Sequence, residues 1–252
     1  VIPRGRLKYL RSLRLRKNRA REGLFLAEGL NVVEEAVSGG YARELFLTEE
    51  AALLPRVRDL GTGGLPAHRI GPVEAKQLAE TRTPAGVFAL VADPCRPFAG
   101  ARLPDVAVVL LAAGVADPGN LGTLVRTAAA LGAAAVVATA GTVEPLNPKV
   151  VRATAGALFR IPVLRGEAAE VREAGFRITV ADAGGEPLSR WRARPARLAL
   201  ALGNEPRGID EGVRALADAT VGIPLEKGVE SLNVSVAAGI LLHAIRALPV
   251  GP

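Results

Sequence analysis

The chain has one cysteine, Cys95, two histidines, His68 and His243, and no methionine in 252 residues. A single cysteine excludes a disulfide framework, and with so few imidazoles a His/Cys metal site is not expected. No apolar run approaches the roughly 18 residues that span a bilayer, and no basic-then-apolar leader reads as a signal peptide. The expectation is a cytoplasmic protein with no membrane partner and no metal. The usual nucleotide signatures are missing too. Where a dinucleotide fold would carry Gly-x-Gly-x-x-Gly in a β–α turn, the chain reads Gly114-Val115-Ala116-Asp117-Pro118-Gly119-Asn120-Leu121-Gly122, and no Walker-type run occurs.

Acid is scarce in one place. Residues 1–22 hold nine bases and one acid, Glu22, a net of +8, while the remaining residues hold 23 bases and 24 acids, a net of −1. The protein is nearly neutral with a basic N-terminal arm. Such an arm suits a polyanion, because each phosphate it neutralises releases condensed counterions. Removing residues 1–22 is therefore expected to weaken binding to such a polyanion and flatten its salt dependence. Leu7, Leu10 and Leu13 lie three apart among these bases, the spacing of an amphipathic helix.

What is present is globular: 49% hydrophobic and 23% charged residues. Strand-like and helix-like stretches alternate, which predicts an α/β protein. Residues 93–104 place three prolines and a glycine in twelve positions, and neither a helix nor a central strand persists through such a run. The expected organisation is an N-terminal domain over 1–92, a linker over 93–104 and a larger domain over 105–252. The apolar run Val106 to Ala112 opens that larger domain, as a strand buried on both faces of a parallel sheet would.

Three stretches of the larger domain stand out. Asp117-Pro118-Gly119-Asn120-Leu121-Gly122 leads to Arg126, with Asn120 suited to cap the helix that follows. On that helix Leu121, Leu124, Val125, Ala128 and Leu131 form the apolar stripe, and Arg126 points away from it. Gly203-Asn204-Glu205-Pro206-Arg207-Gly208 closes a strand with residues able to turn tightly. Ser231-Leu232-Asn233-Val234-Ser235 follows a strand-like run ending near Ile223, and Ser231 or Asn233 would cap the last helix. Between them, Asn147-Pro148-Lys149-Val150-Val151-Arg152 opens a helix with proline at its first position. Lys149 and Arg152 could meet phosphates or solvent.

These stretches, in this order, resemble the motifs of the SpoU branch of the SPOUT methyltransferases. Glu22-Gly23-Leu24-Phe25-Leu26-Ala27-Glu28-Gly29 is similar to that family's N-terminal substrate-binding domain. The resemblance implies a C-terminal parallel-sheet α/β domain tied in a trefoil knot, with a smaller α/β domain of ribosomal-protein type before it. It implies methylation of ribose 2′-hydroxyls in RNA, with S-adenosylmethionine as cofactor, by a homodimer. Carried over by position, Gly203, Ile223 and Leu232 would contact the cofactor. Asn120 and Asn233 would organise the site, Arg126 would be catalytic, and Glu205 and Ser231 would support it. Ribosomal RNA is the expected substrate, with transfer RNA, base methylation and a non-catalytic assembly factor as alternatives.

Overall fold

A computed structural model describes residues 2–60, 64–204 and 208–251. The chain divides into two compact units, Val1–Pro94 with Leu146–Arg160, and Cys95–Pro145 with Ile161–Pro252. The first begins with helices α1 (Arg4–Ser12) and α2 (Arg16–Glu22), then β1 (Leu24–Glu28), α3 (Leu30–Ser38) and β2 (Ala42–Leu47). Helices α4 (Glu49–Leu53) and α5 (Pro55–Arg58), strand β3 (Ala67–Arg69), α6 (Pro72–Leu78) and β4 (Val87–Ala92) follow. Among the described residues the sheet order is β1-β4-β2-β3. Strand β4 runs antiparallel to β1 and β2, while β2 and β3 are parallel. Strand β4 is buried from Val87 to Val91, with Phe88 against Phe46 across the ladder, and Leu10 and Leu13 of the arm pack into the same core.

The arm is two helices rather than one. Helix α1 stops at Ser12, and extended Leu15 precedes α2, which ends at left-handed Gly23. Arg19 explains the break. The residue is 4% exposed, and its guanidinium donates to the carbonyls of Leu13 and Arg14, at 2.8 and 2.6 Å. It satisfies carbonyls that a continuous helix would have used internally.

The chain continues through β5 (Arg96–Pro97), β6 (Ala107–Ala112), α7 (Pro118–Ala130), β7 (Ala135–Ala138) and α8 (Pro148–Ala153). Next come β8 (Val163–Arg165), α9 (Ala168–Glu173), β9 (Arg177–Pro187), β10 (Arg197–Leu202), α10 (Glu211–Ala215), β11 (Ala219–Gly222) and α11 (Val234–Ala247). The second unit's sheet has the order β11-β9-β10-β6-β7-β8-β5 among the described residues, and its pairings are parallel. Strand β6 is buried at every position, as its unbroken apolar run predicts. The proline-rich stretch supplies β5 at the sheet edge, where Pro97 leaves no central ladder bond unmade. Phe98 behind it packs into the second unit's core.

Helix α8 belongs to the first unit, although it lies between β7 and β8 of the second. It is shorter than its sequence suggests, because the chain turns at Ala155 (φ 49°) and Gly156 (φ 94°) before a 3-10 turn over Ala157–Phe159. Within the first unit Phe159 stacks near Phe25 and Tyr41, and Arg160 donates to Glu35 at 2.7 Å, which holds that carboxyl below its ordinary range.

Candidate active site

Strands β6, β9, β10 and β11 run parallel, so their carboxyl ends emerge on one edge of the sheet. Ligands of open α/β sheets collect at such edges, where the loops diverge. A cleft of about 260 Å³ lies there, lined by Asp182, Gly203, Ile223, Ser231 and Leu232, among others. Four residues singled out in the sequence, Gly203, Ile223, Ser231 and Leu232, thus meet although they come from two loops, after β10 and after β11.

Local chemistry shapes each loop. Asp117, not Asn120, caps α7: its carboxylate accepts from the Asn120 amide at 2.8 Å, with Pro118 at the first helical position. The helix therefore starts three residues earlier than a cap at Asn120 would place it, because proline's fixed φ suits that position, and this leaves the Asn120 side chain available for other partners. Asn233 does cap α11, accepting from Ser235 and Val236 at 3.0 and 3.4 Å. Its amide then donates to Asn120 Oδ1 at 2.9 Å, and Ser235 Oγ donates to the Asn120 carbonyl at 3.0 Å. The first and third sequence motifs are thereby fastened together across 113 residues.

The second motif joins them through Asn204, whose side-chain amide donates to the Gly114 carbonyl at 3.2 Å. At Gly203 a Cβ would sit 2.5 Å from the Gly208 carbonyl carbon and oxygen, so no side chain fits without moving that loop. Glu205 lies outside the described residues.

Asp182, at the cleft's other wall, was not singled out from the sequence. Its carboxylate accepts from Arg214 at 2.7 Å and from the Gly184 amide at 3.0 Å, and these bonds hold it below the usual carboxylate range. It is ionised at neutral pH and already engaged. Strand β9 ends in Gly184-Gly185-Glu186-Pro187, and a Cβ on Gly185 would approach within 2.6 Å of the Val221 carbonyl carbon. That glycine pair beside an acid at a strand end was the available signal for this wall.

Arg126 stands apart. The apolar stripe Leu121, Leu124, Val125 and Ala128 is fully buried, and Arg126 is exposed on the opposite side of α7. It does not line the cleft. Helix α11 runs beside α7, with Thr127 near Gly239 and Arg246 donating to the Gly132 carbonyl. No group of histidine, cysteine, aspartate or glutamate among the described residues could hold a metal.

The model of the SpoU rRNA Methylase family matches residues 107–243, and that of the MRM3-like substrate binding domain matches residues 4–89. The chain belongs to the SpoU rRNA methylase family. It is 34% identical to the 23S rRNA (guanosine(2553)-2′-O)-methyltransferase RlmP of Bacillus subtilis, over 96% of both chains. It is 32% identical to a 23S rRNA (adenosine(1067)-2′-O)-methyltransferase of Streptomyces azureus, over 79% of this chain and 77% of the other. The SpoU methyltransferase AviRb of Streptomyces viridochromogenes, solved in complex with AdoMet, superposes with a TM-score of 0.82 at 29% identity, over 97% and 98% of the two chains. For a SpoU chain, the cleft at the carboxyl edge and the bonded Asn120–Asn233 pair are the features that unite the three motifs. Arg152 of the fourth motif lies in the first unit, 4.0 Å from Glu28, and Lys149 is exposed.

Proposed function

We propose that this protein methylates a ribose 2′-hydroxyl of ribosomal RNA, using S-adenosylmethionine, as a homodimer with a knotted catalytic unit. The observation that carries this reading is the convergence of the second and third motifs on one cleft, with the first motif fastened to the third through Asn120 and Asn233. Gly203, Ile223 and Leu232 offer it backbone polar groups and apolar side chains, and Gly203 lacks a Cβ where one would collide. That donor set fits a nucleoside, whose base needs a dry slot and edge-on backbone partners. When bound, S-adenosylmethionine supplies an electrophilic methyl group on a sulfonium, without a metal.

The chain's own residues then hold and activate the acceptor. Asn120 and Asn233, bonded to each other, lock the first and third loops, and Asn204 holds the second against Gly114. A ribose hydroxyl is a weak nucleophile, so negative charge that develops on its oxygen must be met. Arg126 is the group we assign to that task. Its guanidinium stays protonated in ordinary protein settings, which suits it to stabilise an oxyanion and makes it a poor base. Ser231, on the cleft wall, and Glu205, from its motif alone, are assigned supporting roles.

Homodimerisation has support in the exposed side of the paired helices. Val236 and Ile240 of α11 are 51% and 45% exposed, on the helix that packs beside the one carrying Arg126. The direct test incubates the purified chain with labelled S-adenosylmethionine, ribosomal RNA and EDTA. Digestion and mass spectrometry should find the methyl on ribose. A methyl on a base, or turnover that stops with EDTA, would overturn the reading.

A further inference from the structure

The first unit has a crevice of its own. Strands β2 and β3 are parallel, and the chain leaves them in opposite directions. From β2 it runs through α4 and α5 out to edge strand β3, and from β3 it returns through α6 to β4, on the other side of β2. The carboxyl ends of parallel strands are where the loops of α/β sheets form binding crevices. A cavity of about 470 Å³ opens at this point.

Its floor is Thr48 and Gly86. The Thr48 amide donates to the Gly86 carbonyl at 3.0 Å, its hydroxyl accepts from Ala51 at 3.2 Å, and Gly86 adopts φ +71° against the threonine side chain. That base is rigid, and only glycine fits the second position. Leu54, Pro72 and Pro84 give the walls an apolar face. On the rim are Lys76 and Arg82, both exposed and neither paired with a carboxylate among the described residues. Glu50 is the acid of the lining.

We propose that this crevice receives one unpaired nucleotide of the RNA substrate, with its base between Leu54 and the prolines and its flanking phosphates on Lys76 and Arg82. An apolar slot with cations at its mouth matches a single-stranded nucleotide, whose flat base is apolar and whose flanks are anionic. It does not match duplex RNA, whose bases are stacked away. Glu50 then accepts from an exocyclic base amine, as carboxylates do from cytosine. The crevice is a second RNA contact, separate from the catalytic cleft, and it rests on the reading of the protein as an RNA methyltransferase.

The probes are fluorescent oligocytidylate and an RNA duplex of equal length, titrated into the full chain over a range of salt. The wild-type chain should bind oligocytidylate more tightly than the duplex. Lys76→Ala with Arg82→Ala should reduce the slope of log affinity against log salt by about 1.4, the loss of two single-strand phosphate contacts. Ala85→Leu, which narrows the crevice without changing charge, should weaken binding severalfold at unchanged slope. Calorimetry should find S-adenosylmethionine affinity unaltered in both variants. Wild-type affinity and slope in both variants overturn the crevice, and so does a wild-type chain that prefers duplex. A chain that binds oligocytidylate as expected but not S-adenosylmethionine sinks the methyltransferase reading and leaves the crevice standing.

Discussion

Arg126 and Gly203 fail in different ways when changed, and the difference tests their roles. Arg126 makes no core contact, so Arg126→Ala should leave the fold and cofactor affinity intact. If its charge meets the developing oxyanion, single-turnover methyl transfer should fall by about 10²–10³. Arg126→Lys should recover little, since a point-like ammonium cannot reproduce the planar fork. Near-normal turnover in the alanine variant removes Arg126 from the mechanism. Gly203→Ala should instead abolish cofactor binding, because its methyl meets the Gly208 backbone. Calorimetry distinguishes the two. A third residue stores strain. Ala155 holds φ 49°, the one positive value outside glycine among the described residues. A left-handed alanine costs roughly 1–2 kcal/mol, part of which glycine returns through its freer unfolded chain. Ala155→Gly should therefore stabilise the protein by about 0.5–1 kcal/mol in denaturant titrations, and a loss of stability would show that the turn is not strained.

At the scale of elements the basic arm changes meaning. Nine bases in 22 residues suggest a helical arm of RNA-binding charge, yet several are structural. Arg6 pairs with Glu44, Arg14 with Glu80 at 2.8 Å, Arg21 with Glu22 at 2.8 Å, and Arg19 is buried on carbonyls. Leu10 and Leu13 are 0% and 2% exposed. Deleting residues 1–22 would therefore strip the first unit's core, and any loss of RNA binding would report unfolding. Arg4, Lys8, Arg16 and Lys17 remain exposed and have no ion pair among the described residues. Replacing these four with alanine should lower the salt slope by up to about 2.8 on single-stranded RNA while the melting temperature holds. An unchanged slope would mean that the arm is a scaffold. The sequence made local features legible: the apolar run of β6, the stripe of α7 and the Asn233 cap follow from period and residue type. It left illegible whatever depends on distant partners. The charge of Arg19 is visible, but the carbonyls that claim it are not. Helix α8 reads like its neighbours in the larger domain, and only tertiary contacts assign it to the first unit. Asp182 escaped notice because its importance comes from Arg214, 32 residues away.

For the whole molecule, the decisive question is whether one active site draws on two chains. Arg126 is exposed and does not line its own cleft, and exposed Val236 and Ile240 sit on the helix alongside. Two-fold pairing through these helices would cover the apolar side chains and present the partner's Arg126 to a neighbouring cleft. Ile240→Asp should then yield a monomer by light scattering, with methyl transfer lost and the melting transition little changed, since the side chain is not in the core. Mixing supplies the sharper test. Arg126→Ala has an intact cleft, and Gly203→Ala has an intact arginine. If sites are shared, a mixed dimer holds one complete site, the cleft of the first variant with the arginine of the second. Random assortment makes half the dimers mixed, so re-paired protein should regain about a quarter of wild-type turnover. If each chain supplies its own arginine, neither site in the mixed dimer is complete and no activity returns. A silent mixture of two folded, pairing variants would therefore end the shared-site model.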